Sequence, residues 1–350
     1  MTDLDLDLLV ELVPGAEPQV VAAGGRPRDF RRVSSVLRGQ EKALVERLIR
    51  EVEADGRPAV RTADTGVTYL AAPVSGPDHG VPAVQIVAGT DLADTTRAAP
   101  CAVGHWEMFP DSAPRLHVTP EFLDLAGVPA VERDRAVYGP LDFFQRVARI
   151  ADLVRLWEDL LTAGPGYRSS GSVIVRRTDG AVGVLLYAQR YLRTDSGPRV
   201  RVILQDATAT ADRADLGFEL LDATVSMAIT ETAEMFGAVV ESRWPAPCVL
   251  QWLTGYPKWA GHGVSTGQTP GLHPDDIARI PGLLTELAAH GIVRSTMRTR
   301  SRSLTGGWVH SRFAGRMIDP AVSGTLGLVL VHPEPIGIED EAGNVLVEGG

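Results

Sequence analysis

Apolar and polar positions along this chain follow two periods, one of strand type and one of helix type, and the order of the two repeats three times. Each repeat opens with short apolar runs of strand length and passes through a stretch of helical period. It then closes on three further runs, separated by a tight turn and a polar break. The turns are Asp64-Thr65-Gly66, Asp179-Gly180 and Gly306-Gly307, spaced as single domains of roughly 100–150 residues would be. The pattern predicts three similar modules in series.

In the first module, apolar runs at 8–13 and 19–23 are split by Pro14-Gly15 and read as two strands. A helix follows over 40–55, with Leu44, Leu48 and Val52 beside Val45 and Ile49 on one stripe and Asp55-Gly56 as its stop. Strands are predicted at 58–61, 67–74 and 81–88. In the second module, 103–109 and 115–118 read as strands, and Thr119-Pro120 starts a short helix ended by Gly127. The main helical stretch is 143–161, with Phe144, Val147, Ile150, Val154, Trp157 and Leu161 as its buried stripe. Strands at 172–177 and 182–192 flank Asp179-Gly180, a dipeptide suited to a type I′ hairpin, and 200–205 supplies a third. The third module carries strands at 237–241 and 248–253, an irregular stretch at 255–272 and a helix over 273–290. Strands at 292–301, 308–318 and 324–331 then close it. Between modules two and three, Phe218, Leu221, Val225, Ala228 and Met235 keep a 3-4 spacing that predicts a connecting helix over 211–235. The plain reading lays this helix on a neighbouring sheet; the sharper one makes it a signal-transmitting or dimerising element. The domains expected are 1–92, 99–207 and 236–333, joined by the connecting segment 208–235 and followed by an acidic, mobile tail at 334–350.

Composition narrows the function classes. With 350 residues, 44% hydrophobic and 22% charged, the chain can fill two or three globular cores. The net charge of −10 argues against a protein that coats nucleic acid. Lys42 and Lys258 are the only lysines, so nearly all positive charge is arginine. No apolar run approaches the roughly 20 residues that a membrane span needs, and the start, with Asp3, Asp5 and Asp7, is unlike a secretory leader. The expectation is a soluble, cytoplasmic protein. Cys101 and Cys248 sit in separate modules without a second cysteine at ligand spacing, which suggests neither a disulfide framework nor a zinc site.

Certain motifs carry a resemblance. Leu272-His273-Pro274-Asp275-Asp276 resembles the "HPDD" that opens the last helix of many PAS domains, and Gly306-Gly307-Trp308-Val309 resembles the "G-x-W" start of their penultimate strand. Gly104-His105-Trp106-Glu107 and the segment 119–127 resemble a PAS opening strand and first helix. The first module is PAS-like or GAF-like by layout only. Taken together, the chain resembles actinobacterial proteins built from three PAS-like units in tandem, to which a sensory role is attributed from fold. The resemblance implies an α+β protein of three consecutive PAS-like domains, each an antiparallel sheet covered by helices on one face. It transfers a fold better than a function.

Candidate chemistry is sparse. His273, Asp275 and Asp276, with His262, could ligate a metal, but carboxylates at a helix start also accept orphan amide hydrogen bonds, and that capping reading needs no further partner. Gly263-Val264-Ser265-Thr266-Gly267 matches the nucleophile elbow G-x-S-x-G without the strand–turn–helix context the elbow requires. The glycine-bearing segment 164–171 lacks the Gly-Lys-Ser/Thr ending of a phosphate loop. No catalytic set, metal site or cofactor signature emerges.

Two sets of residues are left as candidates. Arg298, Arg300 and Arg302 share one strand parity with each other, as do Arg312 and Arg316 on the next strand, so all five are expected on one exposed sheet face. The plain reading is a solvated face balanced by the acidic remainder of the chain; the sharper one is a face that docks another module or an acidic partner. Trp106, Phe144, Trp157 and Tyr187 are the candidates for a ligand site in the second module, where the helical layer is complete. The leading reading is a non-enzymatic sensory or adaptor protein that holds a small molecule or protein partner and relays the change to a separate effector, with homodimerisation open. An enzyme whose site no motif reveals and a purely structural scaffold are the alternatives.

Overall fold

The computed structural model describes residues 6–78, 80–90, 98–130, 133, 135, 137–177, 180–211, 236–244, 246–254, 257, 259–261, 271–280, 282, 292–293, 298–318, 325–340 and 345–346. The connecting helix expected over 211–235 lies outside the described residues except at Ala211, as do Asp179, His262, the segment 263–267 and the second half of the helix expected over 273–290. Three antiparallel sheets follow one another along the chain. The described residues fall into two compact units. One holds Met1–Glu107, Leu116–Ala136 and Asp159–Asp212, and the other holds Met108–Arg115, Val137–Glu158 and Arg213–Gly350.

The first sheet is built from β1 (Leu6–Glu11), β2 (Gln19–Ala23), β3 (Arg26–Arg32), β4 (Ala59–Thr62), β5 (Thr68–Val74) and β6 (Ala83–Gly89), in the order β3-β2-β1-β6-β5-β4. Two helices, α1 (Val33–Val36) and α2 (Gly39–Asp55), lie between β3 and β4. The stripe read from the sequence is the one α2 buries: Val45, Leu48, Ile49 and Val52 pack with Leu8, Val10, Val84 and Ile86 of the sheet. Each such side chain contributes about 1.5–3 kcal/mol relative to exposure. The helix stops at Gly56, whose φ of 65° lets its N–H return to the Val52 carbonyl. Strand β3 was not expected, because Arg-Pro-Arg-Asp-Phe-Arg-Arg shows no apolar alternation.

The second sheet comprises β7 (Cys101–Glu107), β8 (Arg115–Val118), β9 (Arg168–Arg176), β10 (Val182–Thr194) and β11 (Gly197–Asp206), in the order β8-β7-β11-β10-β9. Helix α3 (Pro120–Ala126) opens on Thr119, whose hydroxyl accepts from the Phe122 N–H, and closes on Gly127 with φ 71°. Within this unit the first and second sheets pack face to face: Leu9, Val21, Phe30 and Val74 meet Val103, Leu186, Ala188 and Ile203. The apolar run of β6, buried at every position, is explained by α2 on one face and the second sheet on the other.

The single helix expected over 143–161 is instead two, α4 (Pro140–Phe144) and α5 (Ile150–Thr162). Phe144, Val147, Val154 and Trp157 of the expected stripe are buried, together with Leu153 and Leu156, while Ile150 at the start of α5 is 40% exposed. The expectation that this stretch belongs with the second module is corrected here, while α3 lies against β7 and β11 of the second sheet. Residues 137–158 belong to the same unit as the third sheet, where Leu141 joins the core of Ala238, Trp252 and Val331. The Gln145 amide pairs with both main-chain groups of Trp252 at the edge of that sheet (2.8 and 3.0 Å), and the Gln251 amide donates to the carbonyls of Phe144 and Val147.

The third sheet comprises β12 (Phe236–Glu241), β13 (Cys248–Trp252), β14 (Ile292–Val293), β15 (Arg298–Arg302), β16 (Trp308–Met317), β17 (Leu326–Glu339) and β18 (Val345–Leu346). Its main order is β13-β12-β17-β16-β14, with β15 on β16 and β18 on β17. The turn before β16 has φ of 98° at Gly306 and 74° at Gly307, as its glycines predict. The last strand was expected to end at Val331 ahead of a mobile tail. It runs on to Glu339 and pairs with β18, because Val309 and Trp308 of β16 continue the ladder opposite Ile338 and Glu339.

Candidate functional site

Register places the arginines of the third sheet. Arg298 stands opposite Arg312, Arg300 opposite His310 and Arg302 opposite Trp308. On the other side of β16, Ala314 stands opposite Leu330 and Arg316 opposite Leu328. Residues in register share a face, so Arg298, Arg300, Arg302, Arg312 and Arg316 do lie together, with Leu328 and Leu330 among them. The face has two halves. In one, Arg300 donates from its main-chain N–H and Nε to Asp276 Oδ2 (2.7 and 3.1 Å), and its guanidinium lies 3.4 Å from Asp275 and from Glu339. The hydrogen bond to Asp276 raises the Arg300 pKa further. Arg302 stacks 3.9 Å above the Trp308 ring. In the other half, Arg298, Arg312 and Arg316 are exposed, and beside them Leu328 and Leu330 keep 39% and 42% of their surface in water. This exposed half is therefore cationic and apolar together.

The Leu272–Asp276 motif explains the closed half. His273, not a carboxylate, caps helix α6 (Pro274–Ile277) through Nδ1, which accepts from the Asp275 N–H at 3.3 Å. Asp276 is buried and turned to Arg300 of β15. The motif thus pins a helix start to a sheet edge. Among the described residues, no group of three or more His, Cys, Asp or Glu side chains could hold a metal ion.

The four ligand-site candidates separate into pairs. Trp106 on β7 and Tyr187 on β10 are buried, on the face of the second sheet turned away from the first. Tyr187 lies across Gly171, where a Cβ would meet its hydroxyl at 2.8 Å. Phe144 and Trp157 belong with the third sheet and meet edge to face at 5.4 Å. The Trp157 indole donates to Glu241 at 2.7 Å. Burial pushes both thiols up to about 12, which leaves Cys101 and Cys248 as unreactive packing residues.

One constellation has no counterpart in the sequence reading. Across the second sheet, Arg168, Arg190, Arg201 and His105 stand in register on β9, β10, β11 and β7. His117 of β8 extends the row by stacking on His105 at 4.8 Å. Such a row repels itself unless anions answer it. Glu11 of the first sheet does so, 2.6 Å from Arg190 and 3.6 Å from Arg201, while Gln19 accepts a further bond from Arg190. Burial raises the Glu11 pKa against the opposing pull of Arg190 and Arg201. At the far end Asp78 lies 3.4 Å from His105 and 2.9 Å from Arg199, and Glu107 lies 3.2 Å from His117. These groups engage one another, so the row acts as a clamp between two sheets. Its members come from five strands, and only register brings them together.

Residues 7–95 match the family model described as Rv3651-like, N-terminal. In structure, the chain is similar to an uncharacterized protein from Mycobacterium tuberculosis, at a TM-score of 0.67 and 19% identity over 93% of this chain and 95% of that one. The likeness is one of fold. A sensory box histidine kinase/response regulator from Burkholderia thailandensis E264 (TM-score 0.25, 14% identity, 35% of this chain and 89% of that one) and an RNA-binding light-oxygen-voltage receptor (0.26, 12%, 66% and 95%) match at scores too low to define a shared fold. None of the curated proteins matches the chain in sequence. Among the described residues no helix is long and apolar enough to cross a membrane.

Proposed function

We propose that this chain is a non-enzymatic binding and relay protein built from PAS-like domains in tandem, and that it docks an acidic protein partner on the open half of its third sheet. The observation that carries the reading is the placement of Arg298, Arg312 and Arg316 on one exposed face with Leu328 and Leu330. Large apolar side chains left in water and ringed by charge are characteristic of interaction sites. The corresponding faces of the first two sheets are buried against each other.

Strand order supports the PAS-like part. In each module the first strand sits inside the sheet, between the second strand and a late one (β6, β11 and β17), with the strand that precedes the late one (β5, β10 and β16) on its far side. The helical segment always falls between the second half of the sheet and the first. Glu11 and His105, two of the perturbed groups that could suggest an enzyme, are engaged in the clamp, and Asp7, raised by burial, is engaged by Gln85 and Gln205, which favours binding over catalysis. A small-molecule ligand in the second module and a relay through 211–235 remain parts of the same proposal, with the effector a separate protein.

The test is photo-crosslinking in the native host from a reactive residue at the exposed Ala314 position, with Arg312→Glu/Arg316→Glu as the comparison. A crosslinked partner that disappears in the charge-reversed variant supports the reading. A crosslink that charge reversal does not alter, or none at all, removes it. Native mass spectrometry of the host-purified protein tests the ligand part, since a retained small molecule is the expected result.

A further inference from the structure

The two edges of the first sheet are built differently. An exposed edge strand is ordinarily blunted by a charge or a proline, and β4 does this with Arg61, whose guanidinium is answered by Glu51 at 2.8 Å. At the other edge, β3 has four arginines and one acid in seven residues. Arg32 pairs with Glu17 at 3.1 Å. Arg26, Arg28 and Arg31 are exposed and make no ion pair among the described residues. Three unanswered like charges within about 20 Å of strand exceed what edge protection needs, and their mutual repulsion is a cost.

A second, independent feature is the backbone. Pairing between β2 and β3 passes from Val20 opposite Arg31 to Ala22 opposite Pro27, so Arg28, Asp29 and Phe30 bulge out of the ladder. Phe30 is the non-glycine residue with positive φ (47°) among the described residues, a conformation that costs about 1–3 kcal/mol. It is held by burial and by the Arg190 and Arg168 guanidiniums, 4.7 and 5.7 Å from its ring centroid. A bulge re-aims side chains. Here it sends Phe30 inward and leaves Arg28 and Asp29 outside the ladder, between Arg26 and Arg31.

We propose that β3 is a docking strand for an extended acidic segment of a partner protein, gripped by Arg26, Arg28 and Arg31. The surface goes beyond the third-sheet face and is independent of it. Guanidinium forks match carboxylates two bonds at a time. The strand exposes no aromatic ring on which a nucleobase could stack and no large apolar side chain that could enter a bilayer. The net charge of −10 opposes a long polyanion more than a short peptide.

The test is fluorescence anisotropy of a labelled oligoglutamate peptide with the full chain at low salt, beside a labelled oligouridine and vesicles of phosphatidylcholine and phosphatidylglycerol. The expected result is peptide binding that Arg26→Glu/Arg28→Glu/Arg31→Glu weakens about tenfold or more at unchanged melting temperature, since these side chains are exposed and make no ion pair among the described residues. The milder Arg26→Gln/Arg28→Gln/Arg31→Gln should weaken it in the same direction, and Arg312→Glu/Arg316→Glu should leave the β3 effect in place. Peptide binding that the β3 variants do not change, or its absence in the wild type, overturns the proposal. So does capture of oligouridine or vesicles through these arginines without capture of the peptide.

Discussion

The Glu11 carboxylate on the first sheet accepts from Arg190 Nε on the second at 2.6 Å, with 1% of its own side chain in contact with solvent. One buried acid thus answers two arginines, Arg190 and Arg201, on a facing sheet. Removing a buried partner leaves its counter-charges uncompensated, a larger loss than the pair's net contribution.

Glu11→Ala should therefore destabilise the protein by about 3 kcal/mol, read as a lower denaturant midpoint. Arg201 keeps its bond to the Leu12 carbonyl (2.7 Å) and Arg190 its bond to the Gln19 amide oxygen, so what is lost is the charge pairing itself. A change below about 1 kcal/mol would mean that water replaces the carboxylate and that the clamp reading fails.

His105 makes stability depend on pH. Burial, the largest cause, holds its imidazole down at about 4 from 6.5, against the opposing pull of Asp78 and with the help of Arg199 and His117; Glu107 also faces it. Between those values the unfolded chain binds the extra proton, so the contribution is complete above pH 6.5 and is lost as pH falls towards 4. It amounts to about 3 kcal/mol. Unfolding measured at stepped pH should show a shallower acid slope for His105→Gln than for wild type; equal slopes would place the titration elsewhere.

Gly104 marks a close approach between β7 and α3. A Cβ there would meet the His117 carbonyl oxygen, the Phe122 ring and Val118 Cγ1, each at 3.0 Å. The carbonyl belongs to the neighbouring strand and cannot swing away. Gly104→Ala should cost about 1–3 kcal/mol in thermal unfolding, and a neutral result would show that the strands can separate without penalty.

Glu241 is fully buried and is satisfied by the Trp157 indole (2.7 Å), the Thr325 hydroxyl (3.0 Å) and the Arg243 N–H (2.7 Å). Trp157→Phe keeps an aromatic ring near Phe144 and Trp244 but deletes one donor to a charged acceptor. The expected loss is about 1–3 kcal/mol. Pairing it with Glu241→Gln should give less than the sum of the two single losses, since both act on one hydrogen bond. Strict additivity would separate them.

Local chemistry made much of the fold legible in advance. The α2 stripe, the Thr119 and Gly127 caps of α3, the glycine turns and most strands were readable because helix period, strand period and turn preference act over a few residues. The shared face of Arg298, Arg312 and Arg316 was readable for the same reason, as alternation along a strand is a local property. Strand β3 was not, because an edge strand needs no apolar face.

The rest depended on partners distant in sequence. That Arg300 is engaged turns on Asp276 and Glu339, brought to it by a helix start and by an extended last strand. Residues 137–158, with α4 and most of α5, could not be assigned to the unit of the third sheet from their own periodicity, since an apolar stripe specifies that something covers it and not which sheet does. The basic row from His117 to Arg168 exists only through the register of five strands, and register follows from packing among residues that no local pattern connects.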